Sequence, residues 1–107
     1  MNNPPKIVIE KSILRRIEMI LAEVMPEGSE VYLFGSRATG EAKAFSDVDL
    51  AVDNNGQAMP EEVMTTLRIK FEFSDLPFEV DVVDLNVISE EFREAIEGKL
   101  VNMRAIM

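Results

Sequence analysis

Residues 35–52 read GSRATGEAKAFSDVDLAV, and this stretch decides the fold. Its last third alternates. Val48, Leu50 and Val52 fall on one side, and Asp47, Asp49 and Ala51 on the other, which is the period of a strand with one face in a core. Val31 to Phe34, just upstream, is a short apolar run ended by Gly35 and reads as a buried strand. Residues 35–45 between the two read as a loop. Glycine directly after a strand lets the backbone come close to a ligand, and a serine hydroxyl with the N–H groups behind it can donate to phosphate oxygens. Gly35 and Ser36 are therefore candidate triphosphate-binding residues. Arg37 and Lys43 are the nearby cations that could meet phosphate charge, and Gly40 serves the loop's geometry.

Working outward, Ile13, Leu14, Ile17, Ile20, Leu21 and Val24 share one helical face, which predicts a helix from about Glu10 to Met25, stopped by Pro26 and Gly28. The short run Lys6 to Ile9 fits no single period. Asp53 to Gly56 has the composition of a turn. Pro60, Glu61 and Glu62 suit the start of a helix whose buried face is Val63, Met64, Leu67 and Phe71. Phe78, Val80 and Val82 alternate with Glu79, Asp81 and Val83 and predict a third strand. Ser89 is a candidate N-cap for a last helix presenting Phe92, Ile96, Leu100 and Met103, with Gly98 a poor helix former inside it. The order is helix, strand, loop, strand, helix, strand, helix: an α/β or α+β domain with a small mixed sheet flanked by helices. At 107 residues, the chain is read as one domain spanning 1–107.

Composition narrows the chemistry. The 47% apolar share supplies a core. The chain has no cysteine and no histidine, which excludes disulfides, thiolate nucleophiles, histidine bases and conventional zinc sites. Any metal must be a hard cation on oxygen ligands. A net charge of −9, with the basic residues scattered, argues against nucleic acid as a partner. No apolar stretch approaches membrane-spanning length, and Met1 to Ile9 lacks the features of a signal peptide, so the expectation is a cytoplasmic protein with no membrane partner.

Three aspartates remain. Asp47 and Asp49, two apart on one strand, leave the same face roughly 7 Å apart at Cα. Asp81 lies on the polar phase of another strand. If those strands are neighbours, three carboxylates converge, and like charges at close range repel and raise one another's pKa. A divalent cation resolves the conflict, and two do so better. With no histidine, Asp81 is the candidate to take a proton from an acceptor. Alone, an Asp-x-Asp is common on the wet side of a strand. The force of the pattern is in the combination. Asp53 and Asp84 are read as structural or solvated.

Gly-Ser, ten residues, Asp-x-Asp on a strand and a third Asp in FEVDVVDL together resemble the minimal nucleotidyltransferases of the DNA polymerase β superfamily. The likeness continues through LNVISEEFREAI. It implies that Asp47, Asp49 and Asp81 bind Mg²⁺, two ions being the expectation, and form the catalytic site. It also implies that Gly35 and Ser36 hold the triphosphate of an NTP such as ATP. Many relatives carry arginine at the position of Thr39, whereas this chain has Arg37 two residues earlier, so Arg37 or Lys43 is the cation expected to reach phosphate. Minimal nucleotidyltransferases are typically encoded beside a small all-helical HEPN protein. In many such pairs that protein is a toxic ribonuclease and the nucleotidyltransferase is an antitoxin that transfers AMP to one of its tyrosines. The expectation is therefore an antitoxin enzyme that forms a hetero- or homo-oligomer and whose open cleft a partner completes. Val101, Met103, Ile106 and Met107 are candidates for the docking surface, core packing being the alternative for them. Rival readings are the catalytic subunit of a two-component enzyme acting on a small molecule, and a non-catalytic antitoxin acting by contact.

Overall fold

Strand β2, Val48–Asp53, is the centre of the molecule. Val48, Leu50 and Val52 are fully buried on one of its faces, as the alternation requires. The computed structural model describes residues 7–43 and 45–106. β1, Glu30–Phe34, pairs antiparallel with β2, setting Leu33 against Leu50 and Phe34 against Asp49. β3, Val80–Asp84, pairs parallel on the other side, setting Leu50 against Val82 and Asp49 against Asp81. A two-residue strand β4, Val101–Asn102, adds antiparallel to β1, so the mixed sheet runs β3-β2-β1-β4.

Two helices cover the apolar face. α1, Lys11–Val24, buries Leu14, Ile17 and Leu21; α3, Glu61–Glu72, buries Met64, Leu67 and Phe71. With Leu33, Val48, Leu50, Val52 and Val82 these form the main core. Each such side chain contributes about 1.5–3 kcal/mol by leaving water. α1 lies within one residue of its predicted bounds at each end, and α3 starts where Pro60 to Glu62 predicted. Pro60 occupies the N-cap position of α3, one residue before its first turn. The crossover from β2 begins in a two-residue turn, Asn55-Gly56, both with positive φ, and the Asp53 carboxylate accepts the Gly56 N–H at 2.8 Å.

The opposite face, which the alternation sets outside the main core, carries a second apolar cluster. Ala51 is fully buried there, packed with Phe34 and Leu85 in a cluster that Ile88, Ile96 and Leu100 close. α4, Glu90–Glu97, supplies Ile96, and Phe92 meets Phe34 edge-on with ring centroids 6.1 Å apart. Ser89 caps α4 as predicted, its hydroxyl accepting the Phe92 N–H at 3.1 Å.

Three expectations are settled here. The last helix does not run to Met103. It ends at Glu97 with Gly98 as its C-cap, and the chain turns to the free edge of β1, where Val101 and Asn102 pair with Leu33 and Tyr32. The 96–100–103 apolar spacing imitates a helix because a short apolar run does not distinguish the two periods. Of the two readings of Val101, Met103 and Ile106, core packing is the one observed: Met103 is buried in the main cluster, and Val101 and Ile106 pack against it. Met107 and Lys6 lie outside the described residues. The run after Phe34 is also more than a loop. Ser36–Thr39 form a one-turn helix, α2, closed by Gly40 at φ 85°.

Candidate active site

The parallel register fixes the site. Asp49 and Asp81 are directly paired neighbours on β2 and β3, and Phe34 of β1 continues the same row. Asp47 stands two residues before Asp49, immediately ahead of the strand, exposed to solvent. Asp81 is likewise exposed, while Asp49 is half-buried. The three carboxylates that the sequence singled out are thus brought to one end of one sheet face.

Their charges interact. Burial holds the Asp49 carboxyl above its ordinary range, and the nearby Asp81 and Asp47 carboxylates raise it further. A carboxyl kept in this state gains by meeting a cation.

Gly35 meets the carboxylates from the β1 side. Its backbone, at φ 77° and ψ −161°, adopts a conformation open essentially to glycine alone. A Cβ at this position would overlap the Asp49 Oδ2 atom. The glycine thus permits two things at once: the sharp exit from β1 into α2, and the close passage of main chain over Asp49. Ser36 opens α2 directly beyond it, half-buried.

Arg37, the cation expected to reach phosphate, is engaged within the fold. It is only 5% exposed. Its Nε donates to the Ser46 carbonyl at 2.9 Å and its Nη1 to the Val8 carbonyl at 2.7 Å. Its guanidinium lies 4.2 Å from the centroid of the Phe78 ring. Ser46 precedes Asp47 and Phe78 lies three residues before Asp81, so Arg37 ties together the two segments that lead into the carboxylate-bearing strands. Lys43 is exposed, and its backbone N–H donates to the Ser46 Oγ at 2.9 Å, shaping the approach to Asp47.

Asp84 is structural and not solvated. It is buried, its Oδ2 accepting the Met59 N–H at 2.6 Å and its Oδ1 the Asn86 N–H at 2.9 Å. Asp53, besides its turn bond, accepts from Asn86 Nδ2 at 2.8 Å.

Glu79 is the residue the sequence reading passed over. Among the described residues, carboxylate oxygens of Asp47, Glu79 and Asp81 all lie within 4.8 Å of one another. The signal was present: Glu79 shares the phase of Asp81, two residues earlier. Oxygens sharing a hard divalent cation at about 2.0–2.6 Å have separations of this size, so the donor set suits Mg²⁺ or a similar ion. A groove of 760 Å³ runs along the free edge of β3 past Glu79 and Asp81, walled by Arg68, Glu72 and Phe78.

Comparison with known proteins places the chain among nucleotidyltransferases. The family described as Polymerase beta, Nucleotidyltransferase matches residues 15–105. The chain is 39% identical over 90 residues to a Haemophilus influenzae protein named "Probable protein adenylyltransferase MntA", covering 82% of this chain and 75% of that one. A crystal structure described as a toxin-antitoxin with AMP-PNP superposes with a TM-score of 0.68 at 27% identity, covering 84% of this chain and 71% of the other. A structure of the toxin-antitoxin MntA-HepT superposes with a TM-score of 0.63 over 88% of this chain and 71% of the other, at 23% identity, a level that speaks for the fold alone.

Proposed function

The chain belongs to the polymerase β nucleotidyltransferase family, and from that premise we propose that it transfers AMP from ATP to a tyrosine hydroxyl of a helical HEPN-type toxin, acting as the antitoxin. The observation that carries the reading is the pairing of Asp49 with Asp81 across parallel strands, with Asp47 beside them and Gly35 closing over Asp49. Relatives in structure are toxin–antitoxin pairs, one with AMP-PNP, and a relative in sequence carries the name of a protein adenylyltransferase.

In this reading Asp47, Asp49 and Asp81 hold Mg²⁺. Mg²⁺ in this place supplies positive charge to the triphosphate and to the charge that develops as phosphorus changes partners. Gly35 and Ser36 hold the phosphates by main-chain approach and the serine hydroxyl. Arg37 holds the Asp47 and Phe78 segments in place, so that the carboxylates keep their spacing. Asp81, exposed at the mouth of the site, accepts the acceptor's proton. The acceptor oxygen forms a bond to the α-phosphorus, the bond from that phosphorus to the β-phosphate oxygen breaks, and pyrophosphate leaves.

The exposure of Asp47 and Asp81 suits an acceptor delivered by another protein, since a macromolecule can cover a mouth that the described residues leave open. The test is direct. ATP labelled on its α-phosphate, incubated with Mg²⁺, the chain and a co-purifying HEPN-type protein, is expected to label that protein. Label from the γ-phosphate is expected to stay in solution. Asp47→Asn and Asp49→Asn are expected to lower incorporation by about 100-fold or more, since several kcal/mol of charge stabilisation are lost. Equal labelling by the variants would overturn the assignment, and label appearing only in a small molecule would favour the two-component enzyme.

A further inference from the structure

The segment before β3 carries a carboxylate that the three-aspartate pattern does not include. Glu79 is held by its main chain: its carbonyl accepts the Val48 N–H at 2.9 Å, which extends the β2–β3 ladder by one bond. This bond sets Glu79 alongside the Asp47–Val48 peptide. Glu79, one residue ahead of β3, then shares the phase of Asp81. Arg37 fixes both flanks, through the Ser46 carbonyl on one side and the Phe78 ring on the other. The outcome is three exposed carboxylates with oxygens within 4.8 Å of one another, two of them aspartates of the transfer site.

Among the described residues no ion pair is formed by Glu79; the cations of the salt bridges engage Asp75, Glu23, Glu97 and Glu30 instead. Arg68, which shares the groove with Glu79, donates Nη2 to the Val82 carbonyl at 3.1 Å.

The geometry points to Glu79 as a fourth carboxylate of the metal site, binding together with Asp47 and Asp81 the divalent ion nearest the mouth. This inference rests on the nucleotidyl-transfer reading above. Affinity of hard cations rises with the number of charged oxygen ligands. A site with this extra ligand retains its ion before any triphosphate arrives, whereas a three-aspartate site leans more on the phosphates to complete its shell.

The experiment is calorimetric titration of Mn²⁺ alone, without nucleotide, into the chain and its variants. Glu79→Gln is close in shape, and its melting temperature in chelator checks that the fold is kept. The expected result is Mn²⁺ affinity lowered at least about tenfold in Glu79→Gln. Glu27→Gln, which removes one exposed charge ahead of β1 at the end opposite Phe34, is expected to leave the titration unchanged. Asp47→Asn is expected to weaken binding as well. A Glu79→Gln titration that overlays the parent while Asp47→Asn weakens it would overturn the role of Glu79 and leave the transfer site intact. Unchanged binding in Asp47→Asn too would overturn the metal site itself.

Discussion

Gly35 and Asp49 depend on one another. The glycine's backbone passes where a side chain would strike the Asp49 carboxylate, in a conformation that costs other residues about 1–3 kcal/mol. Gly35→Ala is therefore expected to lose about that much stability in a denaturant titration, and to lose nucleotidyl transfer under conditions where the variant is still folded. Unchanged stability would show that the backbone has room to spare. Asp49 carries the converse cost. Its carboxyl sits above its ordinary range through burial and through Asp81 and Asp47. Between the unfolded value and that raised value the native state binds more protons than the unfolded one. The Asp49 contribution to stability without metal is thus fully present below the unfolded value and is lost as pH rises through the raised one. Asp49→Asn is expected to flatten that slope and to raise the melting temperature of the metal-free protein at neutral pH, while abolishing transfer. A variant that melts lower at neutral pH than the parent would contradict the account. The aspartates were legible in the sequence because a period of two sets Asp47 and Asp49 on one face. Glu79 obeyed the same period and was missed because no motif includes it.

At the scale of elements, Arg37 shows what a sequence does not display. A cation two residues after a strand-ending glycine looks like a phosphate ligand. The fold instead buries it among two carbonyls and an aromatic ring, partners that lie 9, 29 and 41 residues away. Long-range partners of this kind leave no local pattern. Arg37→Lys keeps the charge but not the fork of donors. It is expected to cost about 2–3 kcal/mol in a urea titration, because at least one bond from a charged donor is lost along with the stacking. A phosphate ligand would behave differently, with stability unchanged and a raised KM for ATP. The C-terminal segment gives the complementary lesson. α1, α3 and the Ser89 cap were readable because periodicity and caps are local. β4 was not, because two residues joining a sheet edge carry no period of their own, and the vacancy beside β1 exists only once the sheet is built.

For the whole molecule, the sheet separates two tasks. One face is stabilised by α1 and α3, and the other carries the carboxylates together with the Phe34–Ala51–Leu85 cluster, which Phe34 joins to the Asp49–Asp81 row. Among the described residues no helix is long and apolar enough to cross a membrane. The mouth of the site stays open around Asp47, Glu79 and Asp81. Such an arrangement suits an enzyme whose acceptor is brought by another protein, and that is the central claim. It is tested most directly by weighing the HEPN-type partner, and mapping any adduct, after incubation with the chain, ATP and Mg²⁺. The account predicts a mass gain of one or more AMP units on a tyrosine, absent with chelator and absent with Asp47→Asn. A partner that is neutralised at unchanged mass, by the parent chain and by Asp47→Asn alike, would contradict it.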